Sequence, residues 1–87
     1  MTPTFEGLRD ILVNEYELPP ERLTPETRLE DVEIDSLAVM ELVFSLEDRF
    51  HVTADERLEA GFATLGDIAD YIDRLRAERD GGAGRRG

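Results

Sequence analysis

The run Glu33-Ile34-Asp35-Ser36-Leu37 places one serine hydroxyl where a long irregular stretch gives way to an amphipathic helix. A nucleophilic serine needs a base within hydrogen-bond reach and a group that orients the base. The single histidine, His51, lies fifteen positions further on, toward the far end of the same helix. At ~1.5 Å of rise per residue that is roughly 22 Å away. The sequence also lacks the Gly-x-Ser-x-Gly elbow of a hydrolase. Ser36 therefore reads as a serine that another protein modifies, and the chain is not expected to be an enzyme.

Metal chemistry fares no better. Asp31, Glu33 and Asp35 match positions 1, 3 and 5 of a calcium loop, but position 6 is Ser36 rather than glycine and position 12 is Leu42 rather than glutamate. The chain has no cysteine, which excludes disulfides and thiolate sites, and one histidine cannot build a histidine-rich centre. No metal is expected.

The net charge is −11. Nucleic acid and anionic membrane would be repelled, and basic protein surfaces attracted. Nineteen of the 21 acids but five of the ten arginines lie in residues 1–73, so the end of the chain is locally basic. The chain has no lysine, as codon bias from a GC-rich genome would produce. No positive segment followed by an apolar stretch opens the chain, and no apolar run approaches the ~20 residues that span a membrane. A soluble, cytoplasmic monomer is expected.

The elements that must position Ser36 follow from periodicity and punctuation. Phe5, Leu8, Ile11, Leu12 and Tyr16 fall at helical spacing and predict a helix over 4–16, stopped by Pro19-Pro20. Residues 17–35 are broken by three prolines, and Leu18, Leu23, Leu29, Val32 and Ile34 read as pegs that pin a long loop to the core. Asp35 is the expected N-cap of a helix over 36–50. Thr53-x-x-Glu56 has the form of a capping box and Gly61 that of a left-handed stop, which predicts a short helix over about 54–60. Thr64 should cap a last helix that buries Leu65, Ile68, Ala69, Ile72 and Leu75, with Tyr71 at its edge. The fold class is all-α: a four-helix bundle with a long first loop and a short third helix. Residues 1–79 form one domain, and the glycine- and arginine-rich stretch 80–87 is expected to be a disordered tail.

The helix after Ser36 has two apolar faces. Val39, Leu42, Val43, Leu46 and Phe50 form an ordinary core stripe, whereas Leu37, Met40 and Phe44 form another, roughly 150° away. Glu41, Glu47 and Asp48 flank the second stripe. An apolar strip rimmed by acids is what a docking surface for basic partners looks like.

With these residues in place, a family resemblance extends beyond three positions. Asp35-Ser36-Leu37-Ala38-Val39-Met40-Glu41-Leu42 is similar to the start of the recognition helix of acyl carrier proteins. Leu46-Glu47-Asp48-Arg49-Phe50 continues it in the family's manner, and Val52-Thr53-Ala54-Asp55-Glu56 resembles the turn into its short third helix. The resemblance spans roughly residues 5–75 and makes 1–79 an acyl carrier domain. It implies that Ser36 receives 4'-phosphopantetheine from coenzyme A through a magnesium-using phosphopantetheinyl transferase. The arm's thiol then holds acyl groups as thioesters. A phosphodiester suits a helix N-terminus, and Asp35 and Glu33 would hold the arm off the surface by repulsion. Asp35 and Leu37 flank the attachment point. The resemblance also gives Leu37, Met40, Glu41, Phe44, Glu47 and Asp48 to partner recognition, with Asp55, Glu56 and Glu59 as an extension. The partners implied are the transferase, ketosynthase, acyltransferase and other basic-surfaced synthase enzymes.

Departures from the family pattern point to pathway. Ala38 and Arg49 stand where carriers of fatty-acid synthesis commonly have acids, and the Ser-Leu-Ala and Met-Glu pairing looks more like carriers of polyketide pathways. Glu33-Ile34 replaces a small Gly-x pair, so a looser turn before Asp35 is expected. Fatty-acid synthesis, a peptidyl or aminoacyl carrier, and a cofactor-free acidic interaction module are the alternatives. Val43, Leu46, Phe50 and Phe62 are candidates to line a slot for a short acyl chain once one is loaded, with plain packing expected in the empty protein.

Overall fold

The computed structural model describes residues 2–55, 58 and 61–86. Among them are three α-helices and two short 3-10 turns, and the only β-type pairing is one isolated bridge, Arg28 with Thr64. Helix α1 spans Pro3–Glu15, α2 Ser36–Phe50 and α3 Leu65–Arg86; the 3-10 turns are Pro20–Arg22 and Leu29–Val32. The short helix expected over 54–60 falls mainly on residues outside the described set, so three helices stand where four were expected. Within that stretch the Leu58 N–H donates to Asp55 O and the Gly61 N–H to Leu58 O. Gly61 has φ +83°, the left-handed stop its sequence position suggests.

Helix α1 begins at Thr2, whose hydroxyl accepts from the Phe5 N–H at 3.1 Å, with Pro3 in the first turn where its missing N–H is harmless. It ends as the Tyr16 and Leu18 N–H groups both reach Leu12 O, with Glu17 between them in the left-handed region. Helix α2 ends in a similar way: His51 is left-handed and the Val52 N–H returns to Glu47 O, which buries Val52.

The three helices share one core. Phe5, Leu8, Ile11 and Leu12 meet Leu42, Val43 and Leu46 and the stripe Leu65, Ile68, Ala69, Ile72 and Leu75. Tyr71 belongs to this core rather than to its edge. The loop pegs Leu23, Leu29, Val32 and Ile34 are buried, and Leu18 is half-buried. Gly7 marks the close approach of α1 to the end of α2, where a Cβ would stand 2.6 Å from the Phe50 ring.

The long loop is held by main-chain bonds as well as by its pegs. The Leu29 N–H donates to Ala63 O at 3.0 Å, Leu65 N–H to Thr27 O at 2.9 Å and Gly66 N–H to Pro25 O at 2.8 Å. The loop thus lies against the entry to α3. That entry is a reciprocal cap: the Asp67 N–H donates to the Thr64 hydroxyl, and the Asp67 carboxylate accepts from the Thr64 and Ala63 N–H groups. Those two backbone donors hold the Asp67 carboxyl below the usual carboxylate range.

At the opposite end of the bundle, arginines close the structure. The fully buried Thr4 hydroxyl bonds Asp73 and accepts from Arg76 Nη1, and the Arg76 guanidinium lies 4.6 Å from the Phe50 ring centre. Arg79 Nη1 donates to the carbonyls of Phe50 and His51, capping α2. These bonds carry α3 past Leu75, its last buried apolar residue. The helix runs on to Arg86. Glycines 81, 82 and 84 weaken a helix by ~1 kcal/mol each relative to alanine but do not forbid it.

Gly66→Ala would bring a Cβ within 2.8 Å of a backbone carbonyl oxygen, which cannot yield as a side chain does. It is expected to cost about 1–3 kcal/mol, read as a lower urea midpoint. The Asp67 cap makes a further prediction, because its folded pKa is depressed. Its contribution is complete above the ordinary carboxylate range and is lost as pH falls through the lower folded value. Asp67→Asn should therefore weaken the fold at neutral pH and flatten the acid limb of the stability curve followed by circular dichroism.

Candidate functional site

Ser36 is the first residue of α2 and is exposed. Asp35 precedes it in an extended conformation, φ −89° and ψ −175°, and its Oδ1 accepts from the Ala38 N–H at 2.9 Å. The Asp35 carbonyl takes the first helical bond, from the Val39 N–H at 2.9 Å. The Ser36 and Leu37 N–H groups carry no bond among the described residues, so two donors stand beside the hydroxyl. That donor set, with the positive end of the helix behind it, fits a phosphate ester on Ser36.

The turn that delivers Asp35 passes through Glu33. Glu33 is left-handed, φ 60° and ψ 36°, at the end of the 3-10 turn. The Ile34 N–H then donates to Leu29 O at 3.0 Å and its side chain is buried. Burial of Ile34 fixes the face on which its exposed neighbours stand, and the left-handed step at Glu33 is the strain this placement stores.

A cleft of about 670 Å³ opens beside Ser36. Its walls come from the loop (Leu29, Ile34), from α2 (Val39, Met40) and from the connection to α3 (Leu58, Phe62). Arg28, Glu30 and Asp35 add charge. Of Val43, Leu46, Phe50 and Phe62, most pack away from the cleft, as expected for the empty protein. Val43 and Leu46 are sealed in the core, and Phe50 lies under Arg76 at the other end of α2. Of the four, Phe62 alone lines the cleft; its ring rests 5.6 Å from that of Tyr71.

The second apolar face of α2 is open: Leu37 is 68 %, Met40 46 % and Phe44 64 % exposed. Glu41 and Asp48 are exposed beside it. Glu47 is half-buried and its carboxylate accepts from the Ala54 N–H, so it anchors the following connection. Asp55 is tied as well: its N–H donates to the Tyr71 hydroxyl at 2.7 Å, and that hydroxyl lies 3.3 Å from its carbonyl and Oδ1. Glu56 and Glu59 lie outside the described residues. Tyr16 packs behind α2 with its hydroxyl 3.5 Å from Ala38 O. Burial, then the charges of Glu41 and Glu15, push its pKa up. His51 is exposed at the opposite end of α2 from Ser36.

Residues 6–72 match the family model described as the phosphopantetheine attachment site. The chain belongs to the phosphopantetheine-attachment family of acyl carrier proteins. It is 33 % identical to an acyl carrier protein of Campylobacter curvus over 82 % of this chain and 94 % of the relative. It is 33 % identical to one of Wolinella succinogenes over 79 % and 92 %. A meromycolate extension acyl carrier protein of Mycolicibacterium smegmatis is 34 % identical over 83 % and 74 %. An acyl carrier protein is a carrier, not an enzyme, and its cofactor is covalent 4'-phosphopantetheine. Sequence reasoning on this carrier missed Arg28, Glu30 and Leu58 in the cleft, the first two brought there with the loop that pairs with residues 63–66. That pairing joins residues too distant in sequence for periodicity to register.

Two substitutions test how the carrier holds its serine. Asp35→Ala should cost about 1 kcal/mol through loss of the cap. Glu33→Val should cost about 1–2 kcal/mol, since a β-branched residue resists the left-handed region, whereas Glu33→Gly should hold or raise the midpoint. Urea unfolding of the three variants against the parent checks both.

Proposed function

We propose that the chain carries acyl intermediates as thioesters on a 4'-phosphopantetheine arm attached to Ser36, in polyketide or other specialised biosynthesis. The observation that carries the attachment is the exposed Ser36 hydroxyl, on the first residue of α2, beside two backbone donors that carry no bond among the described residues and at the mouth of a cleft. The arm supplies a thiol that the protein itself lacks, since the chain has no cysteine. Asp35 holds the start of the helix, and with Glu33 it repels the phosphate from the surface. Leu37, Met40 and Phe44 form the apolar strip that the phosphopantetheinyl transferase, ketosynthase, acyltransferase and related enzymes grip. Glu41 and Asp48 steer basic surfaces toward it. Asp55, Glu56 and Glu59 extend that surface, and Glu47 serves mainly by anchoring the connection.

The polyketide assignment rests on Ala38 and Arg49, which replace acids common in fatty-acid carriers, and on the Met40-Glu41 pair. Fatty-acyl carriage is the second reading, favoured by the likeness to a meromycolate extension carrier. No helix among the described residues is long and apolar enough to cross a membrane, in keeping with action in the cytoplasm.

Incubation with a broad-specificity phosphopantetheinyl transferase, coenzyme A and magnesium should add one phosphopantetheinyl unit by intact mass, and none to Ser36→Ala. No gain with several transferases would overturn the reading and leave an acidic interaction module without cofactor. Phe44→Ala should weaken the transferase or synthase complex by on the order of 1–3 kcal/mol. Glu41→Gln should instead slow association and reduce its salt dependence.

A further inference from the structure

Arg28 is the one cation among the described residues that line the cleft beside Ser36. Its backbone cannot retreat, because it is bridged to Thr64 and the next residue donates to Ala63 O. Its guanidinium directs Nε and Nη2 to a single oxygen, Glu30 Oε1, at 3.1 and 2.9 Å. Nη1 makes no bond among the described residues. Both side chains are largely exposed, 59 % and 67 %, and a pair this open contributes little and exchanges readily. The lining also includes the apolar residues Val39, Met40 and Phe62. The cleft therefore offers an entering chain apolar contact and one strong donor group.

A saturated chain gains nothing from a guanidinium in the wall and obstructs its hydration. A chain ending in a carboxylate meets Glu30 and Asp35 as well as Arg28, and two negative charges outweigh one positive. A neutral oxygen, ketone or hydroxyl, receives a charge-assisted hydrogen bond with no such repulsion. Resting on the carrier reading, we propose that Arg28 is the specificity-determining residue of the cleft, favouring acyl chains that bear ketone or hydroxyl oxygens over saturated ones. Glu30 is its resting partner and yields the guanidinium to the chain.

The arm brings oxygens of its own in its phosphodiester and amides, so each step is read separately. The Arg28 Nε–H resonance is followed in the apo protein, the phosphopantetheinylated protein, and protein loaded by the transferase from octanoyl- or 3-oxooctanoyl-coenzyme A. The resonance should move on 3-oxooctanoyl loading and stay in place at the other steps. In Glu30→Gln that movement should grow. In Arg28→Leu the 3-oxooctanoyl thioester should become roughly three- to tenfold more reactive toward hydroxylamine, with the octanoyl thioester unchanged. Movement at the first step alone would assign Arg28 to the arm and overturn the proposal. No movement at any step, or equal changes for the two chains, would overturn it too. Failure to gain the arm at all is seen by mass before any chain is loaded, and defeats the carrier reading together with this one.

Discussion

Three main-chain hydrogen bonds between residues 25–29 and 63–66 hold the working end of this molecule together. They join two connections that would otherwise be independent loops. Because Leu29 is fixed at Ala63, Ile34 can bond back to Leu29 and drop into the core, and Asp35 then arrives in the extended conformation that caps α2. The same bonds join the loop residues of the cleft to the segment that carries Phe62 and Ala63. Backbone bonds in a partly sheltered site are costly to leave unmade, so the pairing is resistant to change in the side chains around it.

The two ends of α2 are held by different chemistry. Its N-terminus depends on a carboxylate accepting from the backbone, and its C-terminus on the Arg79 guanidinium donating to backbone carbonyls. Each charge sits at the end of the helix dipole that favours it. Two arginines of the chain's last quarter, Arg76 and Arg79, are thereby engaged against Thr4, Phe50 and the end of α2. What remains outside near Ser36 is mainly acid, which is why an enzyme with a basic rim meets little competition from the carrier's own cations.

Local chemistry was legible and long-range pairing was not. The caps at Asp35 and Thr64 rest on one side chain and a backbone three residues away, and both stand where the residue types place them. The helical stripes were legible for the same reason, including the outward face of Leu37, Met40 and Phe44. The lining of the cleft beside Ser36 was not legible, because periodicity says which residues share a face but not which neighbour covers it. Val43 and Leu46 were covered by the other helices, and the loop supplied the lining instead. The left-handed step at Glu33 was not legible because a glutamate carries no sign of such a backbone; it accompanies the burial of Ile34 next to it.

The position of Ser36 on the same rigid helix as the exposed strip has a metric consequence. Phe44 lies eight residues along from Ser36, or ~12 Å of helix axis, with Leu37 and Met40 between. A partner that grips the strip therefore receives anything tethered at Ser36 from a fixed origin and a fixed bearing. Inserting one residue between them would turn that bearing by ~100° while leaving every side chain intact. Different enzymes working on one cargo can share this carrier only if each keeps its own catalytic pocket at the same offset from its grip. The helix thus acts as a gauge block, and the dimension it imposes is inherited by every surface that docks there.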